Sequence, residues 1–124
     1  MSQDIVSDSL NQIMNASRAK KTKVELKRHS KLLISILAIA KLKGQIRNYE
    51  VNGQMLKVEI GHLNKCNSIK PRFTVTVPEI DKYVKRYLPA KNIGFIIVST
   101  SKGIMTHLTA IEKNLGGCLL AYFY

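Results

Sequence analysis

Between Ser99 and Thr106 the chain reads Ser-Thr-Ser-Lys-Gly-Ile-Met-Thr, three hydroxyls and a lysine in succession and then a glycine. Such side chains donate and accept hydrogen bonds to phosphate, sugar and base edges, and glycine lets a ligand backbone come close. The apolar run Phe95-Ile96-Ile97-Val98 precedes them, so the expectation is a polar ledge that leaves a buried strand, turns at Gly103 and opens a short helix. Gly116 and Gly117 come shortly after. They read as a helix C-terminal cap leading into a strand, or as a second place where a nucleic-acid backbone can approach. A solvated Ser/Thr-rich turn has the same composition, so the segment alone does not specify a ligand.

Catalysis is poorly served by these residues. Ser101 or Thr106 could be paired with His107 as nucleophile and base, but neighbours at a helix start point in different directions, and no acid is placed to orient the imidazole. No Gly-x-Ser-x-Gly elbow is present. A small hydrolase therefore stands only as the rival reading. Cys66, Cys118, His29, His62 and His107 have no metal-ligand spacing, and neither a P-loop nor a Gly-x-Gly-x-x-Gly offers a nucleotide a cradle. The expectation is no catalytic residue, no metal, no cofactor and no small-molecule substrate.

Charge points to a partner. Twenty Lys+Arg against 8 Asp+Glu give a formal charge of +12 on 124 residues, which calls for a polyanion. Residues 18 to 31 concentrate the excess in Arg18, Lys20, Lys21, Lys23, Lys27, Arg28 and Lys31 against Glu25 alone, with no counter-charges at helical (i, i+4) spacing. A membrane surface is excluded as the partner because no segment joins a basic face to exposed apolar residues. The longest apolar stretch, 32 to 40, is about half of a membrane span. Two cysteines without a CxxC, and a start lacking the apolar core of a signal peptide, suggest a soluble, reduced, intracellular chain. No aromatic pair is expected at alternating strand positions, which favours structured RNA read by shape, 2′-hydroxyl and a few base edges.

The elements that would position these groups fall into an α+β arrangement of two small lobes. In residues 1–60, Val6, Leu10, Ile13 and Met14 mark an amphipathic helix from Asp4 to Ser17, and Val24 and Leu26 a basic strand. Ser30 then caps a helix whose apolar face runs from Leu32 to Ala40 and which ends near Lys43-Gly44. Strands 46–51 and 55–60 flank the hairpin signal Asn52-Gly53, giving an α-β-α-β-β order. Residues 61–124 form a mostly β lobe with short helices. Its opening loop, 61–67, is too polar for a core element; Phe73-Val75-Val77 alternate as a strand stopped by Pro78. A short helix is expected near 79–87, a buried strand at 93–98, a helix from Thr106 to Asn114, and a last strand from Cys118 to Tyr124.

From Asp4 to Tyr124 the chain resembles small-subunit ribosomal protein eight, a universal ribosomal family, in its archaeal and eukaryotic branch. Ser99-Thr100-Ser101-Lys102-Gly103-Ile104-Met105-Thr106 is similar to the family's STS-x-G-hydrophobic-M-[TS] motif, with Leu115-Gly116-Gly117 at the family's distance. Gly61-His62-Leu63-Asn64-Lys65-Cys66, Ile69-Lys70-Pro71-Arg72-Phe73 and Tyr87-Leu88-Pro89-Ala90 suggest the branch. The usual acidic pair after His107 is replaced here by Leu108-Thr109.

The resemblance implies a non-enzymatic structural constituent of the small ribosomal subunit, located with the ribosome in the cytoplasm. It would bind small-subunit rRNA early in assembly, at an irregular helix of the central domain, beside neighbouring small-subunit proteins. Its own messenger RNA is a further candidate partner. The implied RNA-binding set is Ser99, Thr100, Ser101, Lys102, Gly103 and Thr106, with Met105 and Thr106 fixing the loop and Gly116 and Gly117 shaping the neighbouring turn. A second stretch of backbone would be gripped by Lys20, Lys21, Lys23, Lys27, Ser30 and Lys31, with Lys65 and Arg72 adding to the set.

Overall fold

The computed structural model describes residues 5–69, 74–90 and 93–124, and divides into two compact units, 1–67 and 68–124. Both mix helices with antiparallel sheet, as the α+β expectation has it.

The first unit is built on two helices. Helix α1 (Ile5–Arg18) buries Val6, Leu10, Ile13 and Met14 along one stripe, and ends where Lys20 enters the left-handed region at φ 61°. There the Lys21 amide reaches back to the Ala16 carbonyl at 2.9 Å, closing the helix as glycine usually does. After strand β1 (Lys23–Leu26), the Ser30 hydroxyl accepts from the Leu33 amide and starts α2 (Lys31–Leu42). Leu33, Ile36 and Leu37 on α2 are fully buried, each stabilising by roughly 1.5–3 kcal/mol.

Strands β2 (Ile46–Asn52) and β3 (Met55–Ile60) form the expected hairpin. Its turn lies one residue later than an Asn-Gly pair would place it. Asn52 still pairs with Met55, so Gly53 and Gln54 are central, and only Gly53 has positive φ, the type II′ pattern. The sheet order is β1-β3-β2. Leu26, Ile46, Leu56 and Val58 face the helices, and the register aligns Lys23, Glu25, Asn48, Glu50, Lys57 and Glu59 on the other face.

The segment expected to be only a polar loop departs from that reading at its end. Cys66 is buried and begins strand β4 (Cys66–Ser68); its amide donates to Met14 Sδ at 3.3 Å. Burial pushes the Cys66 thiol up to about 12, which makes it a small core side chain.

In the second unit the sheet order is β4-β8-β6-β7, with β5 (Thr74–Val75) also on β8. Ile96 and Val98 of β6 (Phe95–Thr100) and Leu119 and Tyr122 of β8 (Gly117–Phe123) share a core with Ile80, Val84 and Ala110. Leu120 is an extra residue in β8: Ile97 pairs with Ala121 but Val98 with Leu119, a bulge. The Leu120 carbonyl accepts instead from the Ile69 amide at 2.9 Å.

Several boundaries here differ from expectation. Val77 is not strand but the first residue of α3 (Val77–Tyr87), because Pro78 suits a first helical turn where its missing N–H is not needed. Glu79 completes that start, accepting from the Thr76 amide at 3.0 Å and hydroxyl at 2.8 Å. Phe73 lies outside the described residues, and Ile93 is half exposed rather than in the buried strand. The largest difference is β7 (Gly103–Thr106), a strand where a helix onset was expected; α4 is confined to His107–Glu112.

Candidate nucleic-acid interface

Strand β6 is buried over Phe95–Val98 and emerges at Ser99. Antiparallel pairing with β7 matches Ser99 with Ile104 and Thr100 with Gly103, which leaves Ser101 and Lys102 as the tip of a tight hairpin. The positive φ of 114° falls on Gly103, not on the tip residues, as in turns whose glycine follows the corner. Nothing lies near the place a Gly103 Cβ would take, so backbone conformation rather than space requires glycine there. Ser101, Lys102 and Gly103 are exposed, while Ser99 and Thr100 are half-buried.

The hydroxyls divide into two groups. Thr100 Oγ1 donates to the Gly103 carbonyl at 2.8 Å and accepts from the Lys102 amide at 3.1 Å, stapling the tip. Thr106 is buried at the N-cap of α4, its Oγ1 accepting from the Thr109 amide at 3.4 Å. This is the loop-fixing role expected of Thr106, with its hydroxyl spent on the α4 cap. The hydroxyls of Ser99 and Ser101 have no partner among the described residues. These two can act as donors and acceptors to a ligand.

Two further residues hold the ledge from behind. His107 is buried at 2% exposure, and its Nδ1 accepts from the Ile96 amide at 3.1 Å. β7 ends at Thr106, so the imidazole takes over an amide that no further β7 residue pairs with. That bond commits Nδ1 to the backbone, and the hydrolase reading loses its base.

Gly117 is needed for space: a Cβ there would run into the Ser99 carbonyl. One on Gly116 would come to 2.6 Å from the Val75 carbonyl. The helix cap expected at this pair falls instead on Asn114, at φ 58°. The glycines serve close strand packing, and Gly117 lets β8 seat against β6 directly beneath Ser99.

The basic set of the first unit is spread out. Lys20 and Lys21 lie at the end of α1, and Lys27 and Lys31 beyond β1, a strand of about 13 Å. All four are exposed. Lys23 sits on the open sheet face 3.8 Å from Glu59, and Arg28 lies 3.7 Å from Asp8. These two acids are not (i, i+4) neighbours but come from elements distant in sequence, so part of the field is met within the chain. Ser30 is half-buried and spends its hydroxyl on the α2 cap. Lys65 is half-buried in the loop before β4, and Arg72 lies outside the described residues. Among the described residues no cluster of His, Cys, Asp and Glu could hold a metal, and no helix is long and apolar enough to cross a membrane.

Comparison with known proteins gives this geometry its context. Residues 4–124 match the family model described as Ribosomal protein S8. The chain belongs to the ribosomal protein S8 family. Relatives named "Small ribosomal subunit protein uS8" from Nanoarchaeum equitans and from Archaeoglobus fulgidus are each 42% identical over 129 aligned positions, which cover 100% of this chain and 100% of each relative. S8 proteins are structural and non-enzymatic, in keeping with a His107 held by the backbone. Within this S8 chain, sequence reasoning missed the roles of His107 and Asn114, although a histidine beside an apolar strand and an asparagine after a short helix were both visible.

Proposed function

We propose that this chain is a structural protein of the small ribosomal subunit that binds small-subunit rRNA directly, through the β6–β7 hairpin, at an irregular helix of the central domain. The carrying observation is the tip itself: two serine hydroxyls without partners among the described residues, a lysine and an open glycine, on a strand buried up to the residue before them. A minor groove of irregular RNA, wide and shallow and lined by 2′-hydroxyls, suits such a ledge. Residues 61–124 supply this specific contact, while Lys20, Lys21, Lys27 and Lys31 in residues 1–60 meet phosphates, each phosphate adding roughly 0.7–0.9 to the slope of log K against log salt. The same reading places the protein in the cytoplasm with the ribosome, beside neighbouring small-subunit proteins, supporting assembly and translation.

A mobility-shift titration of the full chain against the central-domain fragment of small-subunit rRNA, at two salt concentrations with random duplex as competitor, tests it. Tight binding that survives competitor is the expected result. Binding abolished by competitor would reduce the interface to charge and sink the assignment of specificity to the hairpin.

A further inference from the structure

Four of the five tyrosines form one stacked series within residues 68–124. Tyr83 and Tyr87 stand one turn apart on α3, with ring centroids 6.4 Å apart and planes within 13° of parallel. Tyr87 stacks on Tyr122 at 5.1 Å, and Tyr122 on Tyr124 at 6.3 Å. Tyr122 lies in β8 and Tyr124 just beyond its last residue, Phe123. A second row runs beside the first. Lys82 Nζ is 5.8 Å from the centre of the Tyr83 ring and Arg86 Cζ 5.6 Å from that of Tyr87. Both rows have the (i, i+4) spacing that puts side chains on one helical face, about 6 Å apart along the axis.

Core packing accounts for part of this arrangement. Tyr122 is buried, and Tyr83, Tyr87 and Tyr124 rest partly buried against the core. Covering a core needs aromatic area, however, and does not need a cation over each α3 ring. Aromatic faces flanked by cations are the components of a platform on which single-stranded nucleic acid stacks. The ladder is also separate from the ledge. Tyr122 pairs with Ile96 near the start of β6, whereas the hairpin leaves β6 at Thr100, about 13 Å along the strand.

We propose that the tyrosine ladder of α3 and β8 is a second RNA-contact surface, which stacks an unpaired base on its rings and holds the flanking phosphates with Lys82 and Arg86. The site depends on the rRNA-binding reading only for the choice of RNA as the polyanion. Its ligand is single-stranded, and the ledge's is an irregular helix.

The test measures binding of the full chain to a fluorescently labelled oligouridine of about ten nucleotides, and to an abasic backbone of equal length, by anisotropy at low salt. Stacking predicts that the oligouridine binds at least about fivefold more tightly than the abasic strand. Tyr83→Leu should abolish that difference and Tyr83→Phe retain it. The Lys82→Ala/Arg86→Ala pair, at exposed positions, should weaken binding to both strands more than Lys113→Ala does, and needs no change in the core. Equal affinity for the two strands, an unchanged difference in Tyr83→Leu, or equal losses in the Lys82/Arg86 and Lys113 variants would overturn the proposal and leave the ladder as a cover for the core or a face for a neighbouring protein. Failure of the ledge is read separately, on the rRNA fragment.

Discussion

Between Ser99 and Thr106 the polar side chains bonded within the protein hold in place those left without a partner among the described residues, whereas between Lys20 and Lys31 the charges project from whatever backbone lies beneath them. The hairpin tip is stapled by Thr100, capped behind by Thr106 and seated on Gly117. The basic stretch includes a helix end, a strand and a loop, and two of its cations already have carboxylate neighbours. A hydrogen bond to a groove edge fails if misplaced by an ångström, while attraction to a phosphate tolerates several. Specificity therefore needs buried scaffolding and affinity only exposure.

His107→Ala should attack the scaffold most severely, orphaning the Ile96 amide and leaving a cavity. A loss of about 2–4 kcal/mol of stability is expected from urea unfolding, and a loss below 0.5 kcal/mol would mean that the imidazole does not complete the ladder. Ser101→Ala should leave stability within about 0.5 kcal/mol yet weaken binding to the rRNA fragment by roughly 1 kcal/mol, with much less effect on random duplex. Lys21→Ala should weaken both RNAs about equally and flatten the salt slope by roughly 0.7–0.9. Parallel losses in these two variants would erase the contrast between the regions.

Lys20→Gly should sharpen it, raising the midpoint of unfolding through about 1 kcal/mol of relieved left-handed strain while RNA binding falls only by one charge. The smallest effect is at Glu79, whose carboxyl is held below its ordinary value by the Thr76 amide and hydroxyl. Its folded pKa is the lower one, so its contribution is complete above the unfolded value and is lost as pH falls through the folded value. Glu79→Gln should remove that small acid-side decline from a plot of stability against pH.

Where local chemistry decided the structure, the sequence was readable. Ser30 before an apolar helical face, Gly44 after it and the Asn52-Gly53 corner placed α2 and the β2–β3 hairpin nearly to the residue. The ledge was found from composition, but its form was not, because Gly103-Ile104-Met105-Thr106 has no alternation of its own and becomes a strand only by pairing with β6. Thr106 shows the same limit: a threonine three residues before another threonine fits a ligand or a cap equally well, and burial settles it as a cap. Glu59 and Asp8 escaped notice as counter-charges because sheet register and loop path bring them to the lysine and arginine.

The additional residue at Leu120 has a consequence for insertions and deletions. Strand side chains alternate, so positions 119 and 122 would ordinarily point to opposite faces; with Leu120 set out of register, Leu119 opposes Val98 and Tyr122 opposes Ile96, and both enter one core. The β8 strand thus carries two phases joined at a single residue, one keyed to Gly117 and the ledge, the other to Tyr122 and its stacked neighbours. Deleting Leu120 would make the ladder regular and keep Leu119 and Tyr122 two apart on the core face, whereas one further residue inserted between 118 and 121 would turn one of those halves inside out.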